Sequence, residues 1–146
     1  LSEDDFKWVA VFYFAVFWCI QILLIGEPAE ALIAAASEVL LTQLFVFAVL
    51  ALYQRGEFFI PTATLLMGSV GIVGALAVPF IIWLRLSEDG LLVAAFYCLV
   101  ACGIWGLAVL AHIFRQALSK TPSFGFGIAC AYAVETYLGT LILLVL

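Results

Sequence analysis

Charge is scarce in this sequence, and the scarcity excludes more than any motif establishes. Only 10% of the 146 residues are Asp, Glu, Lys or Arg, where a soluble domain carries about a quarter. With 68% apolar residues and a mean hydropathy of +1.30, the chain reads as an integral membrane protein. Basic residues are outnumbered two to one, 5 against 10, which argues against nucleic acid as a partner. Other integral membrane proteins and membrane lipid are the expected partners.

Chemical signatures are missing too. There is no G-x-x-x-x-G-K-[ST], no H-E-x-x-H and no G-x-S-x-G, so no enzyme activity is expected. The one histidine, His112, has no second ligand to share a metal or haem with, and no cofactor or metal is expected. The cysteines at 19, 98, 102 and 130 make no C-x-x-C pair. All four fall in apolar runs and read as small buried hydrophobes, not as a disulfide framework. Repeats, low-complexity segments and strand-like alternation are absent as well, which excludes an ordinary transmembrane barrel. The first apolar run lacks a cleavage site in good context and reads as a retained span.

What is present is a series of long apolar runs separated by short breaks. Gly26-Glu27-Pro28, Arg55-Gly56-Glu57, Ser87-Glu88-Asp89-Gly90 and Thr121-Pro122-Ser123 punctuate the chain. About 20 residues at 1.5 Å rise cross a hydrocarbon core. The expected fold is therefore all-α: a polytopic transmembrane helical bundle, one domain over residues 1–146, with spans at about 8–25, 30–53, 62–84, 91–118 and 124–146. Further sequence at either end is left open. Pro79 lies inside the third span, which either bends there or ends early. Aromatics crowd the first span (Trp8, Phe12, Tyr13, Phe14, Phe17, Trp18) and suit the interface and lipid contact.

Alternating spans put Lys7, Arg55, Arg115 and Lys120 on one side and Arg85 on the other. That bias places the N-terminus in the cytoplasm. Arg55, His112, Arg115 and Lys120 are then candidates for lipid-headgroup contact, anionic lipid included.

Polar residues at depth are the candidate functional groups. Glu38 and Thr42 share a helical face with Ala34, four residues apart in each step. Gln43 and Glu135 lie on the order of 15 Å from the cytoplasmic ends, Gln21 and Glu38 roughly 20 Å. A carboxyl at depth takes a proton or finds a partner. With no Lys or Arg at similar depth, at least one of Glu38 and Glu135 is expected to be protonated at neutral pH and bonded to Gln21, Gln43, Thr42, Thr136 or Tyr132. A basic residue on a partner subunit is the competing account. Three stripes of small residues are expected at helix contacts: Gly71 with Ala75; Ala94, Cys98, Cys102 and Gly106; and Gly127, Ala131 and Gly139 flanking Glu135.

The segments R-G-E-F-F-I-P-T-A-T-L-L-M-G (55–68), A-V-P (77–79) and W-G-L-A-V-L-A-H-I-F-R-Q-A-L (105–118) resemble a group of small, uncharacterised bacterial inner-membrane proteins similar in layout to the Yip1-like five-span class. The resemblance implies a multi-pass protein of the bacterial inner membrane and a compact bundle, and it carries over no catalytic residue. The leading expectation is a non-catalytic accessory or scaffold subunit of a larger inner-membrane assembly; the alternative is binding or transport of a lipid, quinone or other amphipathic ligand through a polar bundle interior.

Overall fold

The computed structural model describes residues 2–88 and 90–146, with side chains throughout except at 143 and 144. The described residues form five long helices: α1 Glu3–Ile25, α2 Pro28–Leu52, α3 Phe59–Leu86, α4 Gly90–Leu118 and α5 Pro122–Val145. Each is long and apolar enough to cross a membrane. The chain is a multi-pass helical membrane protein, with no strand among the described residues. Asp89, in the expected third turn, lies outside the described residues.

Local chemistry sets the helix ends. Ser2 caps α1 reciprocally: its hydroxyl accepts the Asp5 amide at 3.2 Å, and the Asp5 carboxylate accepts the Ser2 amide at 3.0 Å. Gly26 closes the same helix at φ +88°, a left-handed conformation that glycine adopts without a Cβ penalty. Pro28 opens α2 in the first turn, where the missing N–H costs nothing. A 3₁₀ turn, Gly56–Phe58, leads into α3, and Thr121 caps α5 ahead of Pro122. Helix α3 runs unbroken past Pro79. The sequence left that point open; neighbouring helices re-satisfy the backbone in such cases.

The helices pack in a ring, in the order α1, α3, α4, α5, α2 and back to α1. One end of the bundle carries the Ser2 cap, the Gln54–Phe58 turn and the Ser119–Thr121 turn; it is called the basic end here. Aromatic contacts close it: Phe6 with Phe59, and Tyr53 with Phe124. The core clusters in this half, from Val46, Val49 and Leu50 of α2 through Ala63 and Leu66 of α3 to Leu110, Phe114 and Leu118 of α4 and Ala129 of α5. At the opposite end the Arg85 guanidinium donates to the Leu23 carbonyl, tying α3 to α1. Large apolar side chains such as Trp8, Leu40, Phe47, Tyr97 and Ile104 point outward. An apolar exterior around polar interior contacts suits lipid as solvent.

Small residues mediate the close contacts, but not always those expected. A Cβ on Gly71 would lie 2.8 Å from the Phe12 ring, so α1 and α3 approach through this glycine. Its expected companion, Ala75, is exposed; the buried Gly74 faces α1 instead, against Val16 and Ile20. On α4, Cys98, Cys102 and Gly106 are half-buried, whereas Ala94 is exposed and Ala95 is fully buried. On α5, Gly139 packs on Leu41, but Gly127 and Ala131 face outward. Gly125 and Ala129 occupy the inner face. Both pairs have the same four-residue spacing, so the spacing fixes the period of the stripe and not its phase. Cys19 is exposed on the outer face of α1 and is not the buried hydrophobe expected.

Candidate functional site

Three helices meet at mid-height through their polar side chains. The Tyr13 hydroxyl of α1 donates to the Glu38 carboxyl of α2 at 2.9 Å. It also lies 3.3 Å from the Thr42 hydroxyl and 3.2 Å from the Tyr132 hydroxyl of α5. Thr42 and Tyr132 are 2.8 Å apart. All four side chains are buried, Tyr13 and Thr42 completely. The one-turn spacing of Glu38 and Thr42 brings both to the same face of α2, and the adjoining α1 and α5 supply the two phenols.

Counting protons shows how the cluster is organised. Three hydroxyls supply three protons to four short contacts. Tyr13 gives its proton to Glu38, which leaves two protons for the three contacts among Tyr13, Thr42 and Tyr132. The shortest of these, Thr42 to Tyr132, takes one, and Tyr13 accepts the other from one neighbour or the other. The chain of donors therefore ends on the carboxyl. Interhelical hydrogen bonds in membranes are worth about 0.6 kcal/mol on average and at most about 1.7, so the cluster contributes on the order of 2–3 kcal/mol to holding α1, α2 and α5 together.

The carboxyl also faces space. A cleft of about 400 Å³ opens between α1, α2 and α5, lined by Phe17, Gln21, Leu24, Glu38, Tyr132, Ala133, Thr136, Tyr137, Thr140 and Leu141. It begins at the polar cluster and extends away from the basic end, into the half of the bundle that the core does not fill. Tyr13 bonds one Glu38 oxygen, and no protein group among the described residues bonds the other. Among the described residues Gln21, which lines the cleft, has no hydrogen-bond partner, and neither does the enclosed Thr140 hydroxyl. Phe17 and Ala133 also border a second, apolar cleft of about 310 Å³ between α3 and α4, which passes Val70, Val73, Gly74 and Leu107.

The expected polar residues therefore divide. Glu38 and Thr42 sit in the cluster, and Gln21 lies beside it. Gln43, one residue from Thr42, points about 100° away around α2 and donates to the Met67 sulfur at 3.0 Å. Its carbonyl oxygen is buried and unpartnered. Glu135 is half-buried, accepts a 3.3 Å bond from its neighbour Thr136, and does not line the cleft. At the basic end His112, Arg115 and Lys120 are exposed. Lys120 lies over the rings of Tyr53 and Phe124, and Arg55 over Phe58. These cations are grounded on aromatic faces at the end of the bundle.

Tyr13 is the member that sequence reading assigned elsewhere, to the lipid-facing aromatic set. Its hydroxyl held the only available signal, since a phenol needs a partner for that group when buried; Phe17, four residues on, shares its face.

The chain matches no family model, no characterised protein and no solved structure to which it was compared.

Proposed function

We propose that this protein is a non-catalytic membrane bundle that binds a small amphipathic molecule from the bilayer. The observation that carries the reading is the cleft, which joins a buried polar floor to apolar walls. Sites for small ligands are mostly apolar concavities of about 300–1,000 Å³ with a few convergent polar groups. The cleft at about 400 Å³ fits that description. Glu38, Gln21 and Thr140 offer hydrogen-bonding capacity that the protein does not use, and the apolar cleft beyond Phe17 offers a course for the rest of the ligand. We place the protein in the bacterial inner membrane with its basic end in the cytoplasm, where Arg55, His112, Arg115 and Lys120 meet lipid headgroups.

Purification in mild detergent, followed by mass spectrometry of extracted small molecules, tests the reading. A bound amphiphile should be recovered with the native protein and depleted from Glu38→Gln. Its equal recovery from both would remove Glu38 from the site.

An accessory-subunit role is the second reading, and one observation favours it. Gly127 and Ala131 form a small-residue pair on the outside of α5, the kind of ridge on which a partner's transmembrane helix packs closely. Crosslinking in native membranes from a cysteine at position 131 distinguishes the two: a discrete adduct with another membrane protein supports this role, and its absence leaves the binding role alone.

A further inference from the structure

The cleft has a carboxyl at its floor and no cation on its walls. The five basic residues of the chain are all elsewhere. Lys120 and Arg55 lie over aromatic rings at the basic end, Arg115 is exposed there, and Lys7 pairs with Asp4 in the first turn of α1. Arg85 is engaged with the Leu23 carbonyl. A carboxyl held at depth takes a proton or finds a positive partner, and among the described residues no cation stands beside Glu38 in the cleft. The walls beside it are aromatic: Phe17 and Tyr132 near the floor and Tyr137 toward the rim. Aromatic faces attract positive charge, the more strongly where water is excluded.

We propose that the ligand is a lipophilic organic cation, an amine or onium centre on an apolar body. This rests on the cleft being a ligand site, as argued above, and names the chemical class it takes. The positive centre sits against the Glu38 oxygen that Tyr13 leaves free, within reach of the Tyr137 ring, and the body runs past Phe17 between the helices. An anionic head would be repelled by the ionised carboxyl, and a neutral head would leave Glu38 to take up a proton, whereas a cation lets it stay ionised at depth.

Equilibrium binding of radiolabelled tetraphenylphosphonium to the purified full chain in detergent provides the test, with tetraphenylborate as the anionic counterpart of the same shape. Saturable binding of the phosphonium is expected. It should weaken at least tenfold in Glu38→Gln and several-fold in Tyr137→Leu, and stay within twofold in Glu57→Gln at the far end. Tyr137 is 67% exposed, so its replacement reports on the cleft even if Glu38→Gln folds poorly. Phosphonium binding that ignores both cleft substitutions overturns the proposal, as does tetraphenylborate binding equally well. If no phosphonium binds but a neutral amphiphile is recovered in a Glu38-dependent way, the cation class falls and the cleft reading stands. If neither is found, both fall.

Discussion

The Tyr13 hydroxyl reaches the Glu38 carboxyl at 2.9 Å across the α1–α2 contact, with Tyr13 fully buried and Glu38 open only toward the cleft. Tyr13→Phe removes the oxygen and preserves the ring, so it tests this bond without opening a cavity. It leaves a buried carboxyl oxygen without its donor, a loss of about 1–3 kcal/mol in water-soluble proteins and somewhat less in membranes. A fall in stability of about 1–2 kcal/mol is expected, read by unfolding in mixed micelles. Combining it with Glu38→Gln should cost less than the sum of the two, as contacting residues do. Full additivity would mean that the two side chains do not act on each other.

Gln43 presents the opposite case. Its amide nitrogen has only a thioether for an acceptor, and its carbonyl oxygen is enclosed with none of its own. Sulfur accepts weakly, and an unsatisfied amide in an apolar interior is a standing cost. Gln43→Leu is of similar size and removes both groups. It should raise stability by about 1 kcal/mol and leave ligand binding unchanged. A destabilised variant would reveal a hydrogen-bond partner for this amide in the membrane.

The five helices were legible because apolar runs of spanning length are cut by Gly26-Glu27-Pro28, by the residues around Arg55 and by Pro122. The Glu38–Thr42 face was legible because a four-residue spacing on a helix is a statement of geometry. Tyr13 was not. A phenol in an apolar run serves equally at the lipid interface, and only the position of α2 and α5 around α1 decides between the two. Gly127 and Ala131 failed for a related reason: Gly125 and Ala129 repeat their spacing two residues earlier, and tertiary packing selects the phase. Glu135 shows the limit of reasoning by depth. Its height in the helix is close to that of the cluster, but rotation about α5 gives the inner position to Tyr132.

The two ends of the bundle should lie on opposite sides of the membrane, with the basic end inside. Four basic residues, Lys7, Arg55, Arg115 and Lys120, stand against Arg85, and loop lysines and arginines are retained in the cytoplasm. In a variant whose native cysteines are replaced by alanine, Glu88→Cys should react with an impermeant maleimide added to intact cells. Lys120→Cys should react only after the membrane is opened. The reverse pattern would invert the orientation without altering the fold.

Gly125 and Gly127, one helical half-turn apart on α5, should respond to the same substitution with opposite signs. A Cβ on Gly125 would run into the Ala111 carbonyl oxygen and come within 3.1 Å of the Arg115 amide nitrogen. Both belong to the backbone of α4, so no rotamer change relieves the clash and the two helices must part. Gly125→Ala should cost about 1–3 kcal/mol, the usual range for overpacking. On Gly127 a Cβ meets nothing within 4 Å, and alanine is favoured over glycine within a helix by up to about 1 kcal/mol. Gly127→Ala should therefore stabilise the isolated protein slightly in a detergent unfolding assay. Equal losses from the two would put the inner face of α5 in the wrong phase. If Gly127→Ala stabilises the purified chain but disrupts a crosslinked complex in native membranes, the outer face of α5 is a helix-docking surface, because only a close-packed neighbour makes a methyl group there unfavourable.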